Sequence, residues 1–107
     1  MKNKYGLPEY KLGLIAKRDI SCVYCDKKML PRGNKNRKNA MTVEHLDDEP
    51  PWNNIDTIAM CCGSCNSSRG KKKITEWFNT DYCKSRDINY CSVAQVVRGY
   101  IDKYVEK

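Results

Sequence analysis

Apolar positions along the chain alternate with polar ones in patterns that predict its elements in turn. Near the start, Pro8 opens a short helix in which Leu7, Tyr10 and Leu14 form one apolar stripe; Gly13 weakens it, and it ends before Cys22. From Asp26 to Ala40 the composition turns to Lys, Arg, Asn and Gly, which reads as a mobile basic loop contributing few core residues. Met41-Thr42-Val43-Glu44-His45-Leu46 carries β-branched residues and predicts a strand, followed by an acidic, proline-containing turn from Asp47 to Pro51. A second strand is expected from Ile55 to Met60. The two make a hairpin-like pair joined by a loop of about eight residues, longer than tight two-residue connections and therefore a place for function.

Helical periodicity takes over afterwards. Ser64 to Arg69 suits a short helix, and Lys71 to Lys73 lead into another whose Ile74, Trp77, Phe78 and Tyr82 share one face. Ser92 with Gln95 three residues on predicts a capping box. Val93, Val96, Val97, Tyr100, Ile101 and Tyr104 repeat at three and four, which predicts a C-terminal helix with a core-facing stripe. No internal repeat is visible. The 107 residues suit one domain, 1–107, with a motif core over 22–70 and a helical part over 71–107. With 40% hydrophobic residues, a domain this small buries a limited core, and a metal cross-link would supply part of its stability.

Charge narrows the partners. Twenty Lys and Arg against 13 Asp and Glu leave a net charge of +7, which favours polyanions. Lys27, Lys28, Arg32, Lys35, Arg37 and Lys38 crowd one segment, while Arg69, Lys71, Lys72 and Lys73 form another. Phosphate contacts are expected from at least one of them. Seven cysteines, no apolar leader after Met1-Lys2-Asn3-Lys4 and no membrane-length apolar run predict an intracellular, cytoplasmic chain without a membrane partner.

The cysteines carry the strongest chemical signal. Cys22-Val23-Tyr24-Cys25 and Cys62-Gly63-Ser64-Cys65 are two CxxC pairs, and each such turn aims two sulfurs at one point, as tetrahedral zinc requires. Cys61 adjoins the second pair, but the CxxC register assigns the ligand to Cys62. Cys83 and Cys91 read as structural or free thiols. A dithiol oxidoreductase would show one CxxC near a βαβ pattern and is disfavoured. Between the pairs lies the only histidine, His45, directly after Glu44. Asn53 and Asn54 come soon after, and Cys65-Asn66-Ser67-Ser68-Arg69-Gly70 closes the second pair.

On those residues, the stretch from Cys22 to Gly70 resembles the HNH nucleases, in the branch whose paired CxxC motifs flank the active hairpin. The resemblance implies a small α+β fold with a ββα-metal (His-Me finger) core, a structural four-cysteine Zn²⁺ site and flanking helices. It also implies a metal-dependent endonuclease hydrolysing DNA phosphodiester bonds. His45 would be the general base, since a neutral imidazole accepts a proton near pH 7. Glu44 and Asn66 would hold a catalytic Mg²⁺ or Mn²⁺ through oxygen atoms. Arg69 would clamp the phosphate, with Lys71 and Lys72 extending the contact.

Two departures from the family pattern stand out. Glu44 replaces the Asp of many members, with one more methylene in its reach. The central asparagine position, counted back from Cys62, falls on Thr57, and Asn54 in the loop is the preferred substitute. Asp47, Asp48 and Glu49 read as a solvated acidic turn, and Trp52 as a residue that either stacks on a base or packs its loop. A lone ββα unit offers little surface for reading bases, so weak specificity, nicking, a homodimer or a larger phage, mobile-element or defence-system partner would suit it. The rival expectation is a non-catalytic, zinc-stabilised nucleic-acid-binding module, which uses every feature except Glu44, His45 and Asn66.

Overall fold

The computed structural model describes residues 9–46 and 57–105. They form a small α+β domain: an N-terminal helix, a two-stranded antiparallel sheet, and a run of short helices. The acidic turn at Asp47 to Glu49, and Trp52, Asn53 and Asn54, lie outside the described residues.

Helix α1, Glu9–Arg18, has Glu9 in its first turn and Lys17 and Arg18 in its last, the charge order that the helix dipole favours. Its buried face is not the predicted one. Tyr10 and Leu14 are exposed, while Leu12 and Ile15 are buried against Ile58 and Met60 of the sheet. The pair three apart wins because Asp19, at the helix end, fixes the rotation. Asp19 Oδ2 accepts the Met60 N–H at 3.0 Å, and Arg18 Nη2 donates to both Asp19 Oδ2 and the Ile58 carbonyl at 2.8 Å.

Strand β1, Met41–His45, pairs with β2, Ile58–Cys62, in a register that sets Met41 opposite Cys62 and His45 opposite Ile58. Among the described residues the second strand begins at Ile58, and it ends later than the apolar pattern predicts, running directly into Cys62; the expected start at Ile55 lies outside them. It is buried throughout, because both faces are covered. Met41 and Val43 join the α1 cluster on one face; Leu46, Ala59 and Cys61 belong to the larger core on the other. The Leu46 N–H donates to the Thr57 carbonyl at 2.8 Å, extending the ladder past β1.

The basic loop is pinned rather than loose. Leu30 and Ala40 form a bridge, and the Gly63 and Ser64 N–H groups donate to the Ala40 and Lys38 carbonyls, each at 3.1 Å. Gly63 is required by this close approach, since a Cβ there would sit 1.8 Å from the Arg37 carbonyl oxygen. Gly63→Ala is expected to force the loop off the start of the next helix and to cost about 1–3 kcal/mol, measured by denaturant unfolding.

Helix α2, Gly63–Arg69, ends at Gly70 with φ +53, a conformation that glycine adopts without Cβ strain. The single helix expected to carry Ile74, Trp77, Phe78 and Tyr82 is instead two short ones, α3, Ile74–Trp77, and α4, Asp81–Ser85. Thr80 breaks it: its hydroxyl donates to the Trp77 carbonyl at 2.6 Å, the local competition by which threonine disfavours helix interiors. All four apolar side chains still reach the core, with Ile74 and Trp77 buried and Phe78 and Tyr82 packed against it. The Trp77 ring meets Tyr24 edge-on at 4.7 Å, and its Nε1 donates to Ser68 Oγ at 2.9 Å.

The capping box predicted at Ser92 and Gln95 does not form: the next helix is preceded by Ala94, which makes no side-chain cap bond, and Ser92 closes a turn with Asn89 instead. Asn89 Oδ1 accepts the Cys91 and Ser92 N–H groups, while Ser92 Oγ accepts the Asn89 N–H at 2.9 Å. Helix α5, Gln95–Tyr100, then continues as a π-helical segment, Ile101–Val105. Val93, Val97 and Ile101 are buried as the periodicity predicts, whereas Tyr104 is 38% exposed. No helix among the described residues is long and apolar enough to cross a membrane.

Candidate metal centre and the β1–α2 seam

The knuckle at Cys22 to Cys25 is shaped by its backbone. The Asp26 N–H returns to the Cys22 carbonyl and the Cys22 N–H to the Lys27 carbonyl, both at 2.9 Å, with Asp26 at φ +64. The second pair sits where β2 passes into α2. Together they bring the sulfur atoms of Cys22, Cys25, Cys62 and Cys65 within 4.8 Å of one another. These four cysteines are positioned to bind a metal ion. The Cys25–Cys62 sulfur separation is 3.9 Å, against about 3.8 Å for the edge of a tetrahedron with metal–sulfur bonds near 2.3 Å. Hydrogen bonding with Cys22, the largest effect, brings the Cys25 thiol below its ordinary value. An ion held there would tie the knuckle to the sheet and α2 at once.

Cys61 stays out of the cluster. It is a buried strand residue whose sulfur lies 3.7 Å from Thr42 Oγ1. Cys83 is a buried free thiol and Cys91 an exposed one. The Tyr82 hydroxyl donates to Cys65 Sγ at 3.3 Å, a contact that sequence patterning assigns only to the core. Such partners orient a metal ligand and tune its charge.

The other motif residues meet along the contact between β1 and α2, though 20 or more positions separate them. Glu44 is 5% exposed; its Oε2 accepts the Tyr24 hydroxyl at 2.6 Å and lies 3.2 Å from Arg69 Nη1. Arg69, also 5% exposed, donates from Nη1 to the His45 carbonyl, from Nη2 to the Leu46 carbonyl and from Nε to the Lys72 carbonyl, each at 3.0 Å. Asn66 Nδ2 donates to Thr42 Oγ1 at 2.9 Å and to the Val43 carbonyl at 3.1 Å. His45 is half-buried, with Nε2 shielded from solvent.

Arg69, expected to clamp phosphate, is turned inward: each guanidinium nitrogen donates to an internal acceptor, because a buried Glu44 requires a cation and the carbonyls at the end of the strand require donors. Burial raises the Glu44 carboxyl above its ordinary value, and Arg69 offsets part of that rise. Motif reading does not single out Tyr24. Its burial and the neighbouring Glu44 push its phenol well up, so it stays a hydrogen-bond donor.

The oxygen pair Glu44 and Asn66 suits a hard cation chemically, but the geometry does not fit one as it stands. Glu44 Oε2 is committed to Tyr24 and Arg69, and Asn66 turns its amide NH₂ towards β1. Successive residues of β1 also point to opposite faces, so Glu44 lies opposite Ala59 of the large core and His45 opposite Ile58 of the α1 cluster. Lys71 and Lys72 are exposed on the connection to α3, with Lys72 Nζ donating to the Ser68 carbonyl at 3.1 Å. Asn54 lies outside the described residues, whereas Thr57 is largely buried beside the hairpin. No family model and no curated protein matches the chain.

Proposed function

We propose that this chain is a zinc-stapled nuclease of the HNH type that hydrolyses DNA phosphodiester bonds with His45 as general base. The observation that carries this reading is the strand–helix seam next to the four-cysteine cluster, where Arg69 pairs with Glu44 and bonds the His45 backbone carbonyl while Asn66 bonds the Val43 carbonyl. The strand order supports it too: β1 and β2 lead straight into α2, the ββα sequence that the resemblance implies.

In this reading zinc is structural, held by Cys22, Cys25, Cys62 and Cys65. His45 takes the proton of the attacking water through its imidazole, and Arg69 fixes the main chain at this residue by donating to the His45 backbone carbonyl. Arg69 positions the end of β1 and balances the Glu44 charge; it does not touch substrate. The resemblance implies a divalent cation as well, and because Glu44 and Asn66 do not present a ready ligand pair, no step is assigned to it.

The buried Glu44–Arg69 pair favours a second reading, a zinc-stabilised nucleic-acid-binding module in which Glu44 serves only the fold. One experiment separates them. Supercoiled plasmid is incubated with Mg²⁺, with Mn²⁺ or with no added divalent ion, using wild type and His45→Ala. Nicking or linearisation that drops by about 100-fold or more in the variant, with metal content and DNA binding retained, is the expected result. Binding by both proteins with cleavage by neither establishes the module instead.

A further inference from the structure

With Arg69 withdrawn into the core, phosphate recognition requires other cations. A groove of about 800 Å³ opens between the basic loop, the start of α2 and the end of α4. Arg37, Lys38 and Arg86 line it, with Thr42, Ser64 and Asn66 supplying hydroxyl and amide groups, and no Asp or Glu among its walls. Among the described residues none of the three cations forms an ion pair with a carboxylate.

The backbone that carries two of these cations is held in place: the Lys38 carbonyl accepts the Ser64 N–H, and the Arg37 carbonyl packs closely over Gly63. Arg86 lies 3.8 Å above the Tyr82 ring and donates to the Tyr82 carbonyl at 3.1 Å. Tyr82 in turn bonds Cys65, so the groove is built on the cysteine cluster. Two segments distant in sequence thus present positive charge from an anchored backbone across one concavity that reaches Asn66. Lys71 to Lys73, by contrast, lie consecutively on one exposed connection.

We infer that this groove receives the phosphodiester backbone of a nucleic acid, with Arg37, Lys38 and Arg86 contacting phosphates and Asn66 at the boundary with the β1–α2 seam. Cations converging on a concave wall concentrate the field that attracts phosphates, and each contact releases counterions. The inference deepens the proposed function by naming its substrate surface; it rests on that reading for the cleavage step alone, not for binding.

The test uses the full zinc-bound chain and a labelled DNA duplex without added divalent ion, with affinity measured by anisotropy across a salt series. Arg37→Ala/Lys38→Ala/Arg86→Ala alters exposed side chains only, and unchanged metal content and melting temperature verify its fold. Expected is roughly tenfold or greater weakening near 0.1 M salt, with the log–log salt slope shallower by about 1 per residue removed. The charge-matched Lys71→Ala/Lys72→Ala/Lys73→Ala variant is expected to lose clearly less. Equal losses in both variants, wild-type affinity in the groove variant, or no duplex binding by wild type would each overturn the groove. Wild type that binds through the groove yet never cleaves sinks the nuclease reading and leaves the groove standing. Cleavage with unchanged KM in the groove variant does the reverse.

Discussion

Replacing Cys65 by serine is expected to abolish metal binding and to unfold most of the chain at ambient temperature. An ion held by the four sulfurs would tie the Cys22–Cys25 knuckle to the junction where β2 passes into α2. Structural zinc of this kind contributes on the order of 10 kcal/mol. Whole domains are stable by only about 5–15 kcal/mol, so losing the ion removes most of what a chain of 107 residues has. Cys61→Ser is the matched control. Cys61 is equally buried but lies outside the cluster, so the variant should keep its zinc and lose only about 1–3 kcal/mol. Elemental analysis for about one zinc per chain, followed by thermal melting, reads both. A metal-free folded monomer, or Cys61→Ser and Cys65→Ser behaving alike, contradicts the centre as described.

The second large effect concerns the buried pair. Arg69→Met leaves the Glu44 carboxylate buried with only the Tyr24 hydroxyl and neighbouring backbone for company, and is expected to cost about 3–5 kcal/mol near neutral pH. Adding Glu44→Gln removes the uncompensated charge and should recover a substantial part of that loss. The pH dependence has a definite sign. Burial raises the folded-state pKa of Glu44, so the folded chain binds a proton more tightly than the unfolded one, and this group's contribution falls as pH rises through the carboxylate range. Arg69 opposes the shift in wild type; without it the folded pKa climbs further and stability falls more steeply with pH. Denaturant midpoints compared at mildly acidic and neutral pH test this. An Arg69→Met chain as stable as wild type at neutral pH, with no added pH dependence, would mean that the pair does not brace the seam.

Both predictions separate groups that build the site from groups that act in it. If Arg69 carries the end of β1, its loss moves His45 through the backbone, and under the proposed nuclease function it would reduce cleavage indirectly. His45→Ala, by contrast, is expected to remove cleavage while metal content and melting hold.

Local sequence determined much of this protein. Two CxxC spacings were enough to name the four sulfurs that converge, and the register after Cys65 was enough to exclude Cys61, because ligand geometry is set within four-residue turns. The β-branched run over Met41–His45 located the first strand, and repeats of three and four found Val93, Val97 and Ile101, since these signals depend on neighbours a turn or two away. Tertiary structure alone decided the rest. Leu12 and Ile15, rather than Tyr10 and Leu14, face the sheet because Asp19 and Arg18 hold α1 to β2, a contact some 40 positions away in the chain. Arg69 looked like a surface cation at a phosphate-binding position and is a buried brace, because Glu44 on β1 and the carbonyls of His45 and Leu46 converge on it only after α2 folds back. The groove of Arg37, Lys38 and Arg86 joins a loop to a helix nearly 50 residues later, and its position depends on how closely Gly63 lets the loop approach. Spacing within a turn is written in adjacent residues, whereas the direction of a charged side chain is settled by which distant backbone and carboxylate groups need it once water is excluded.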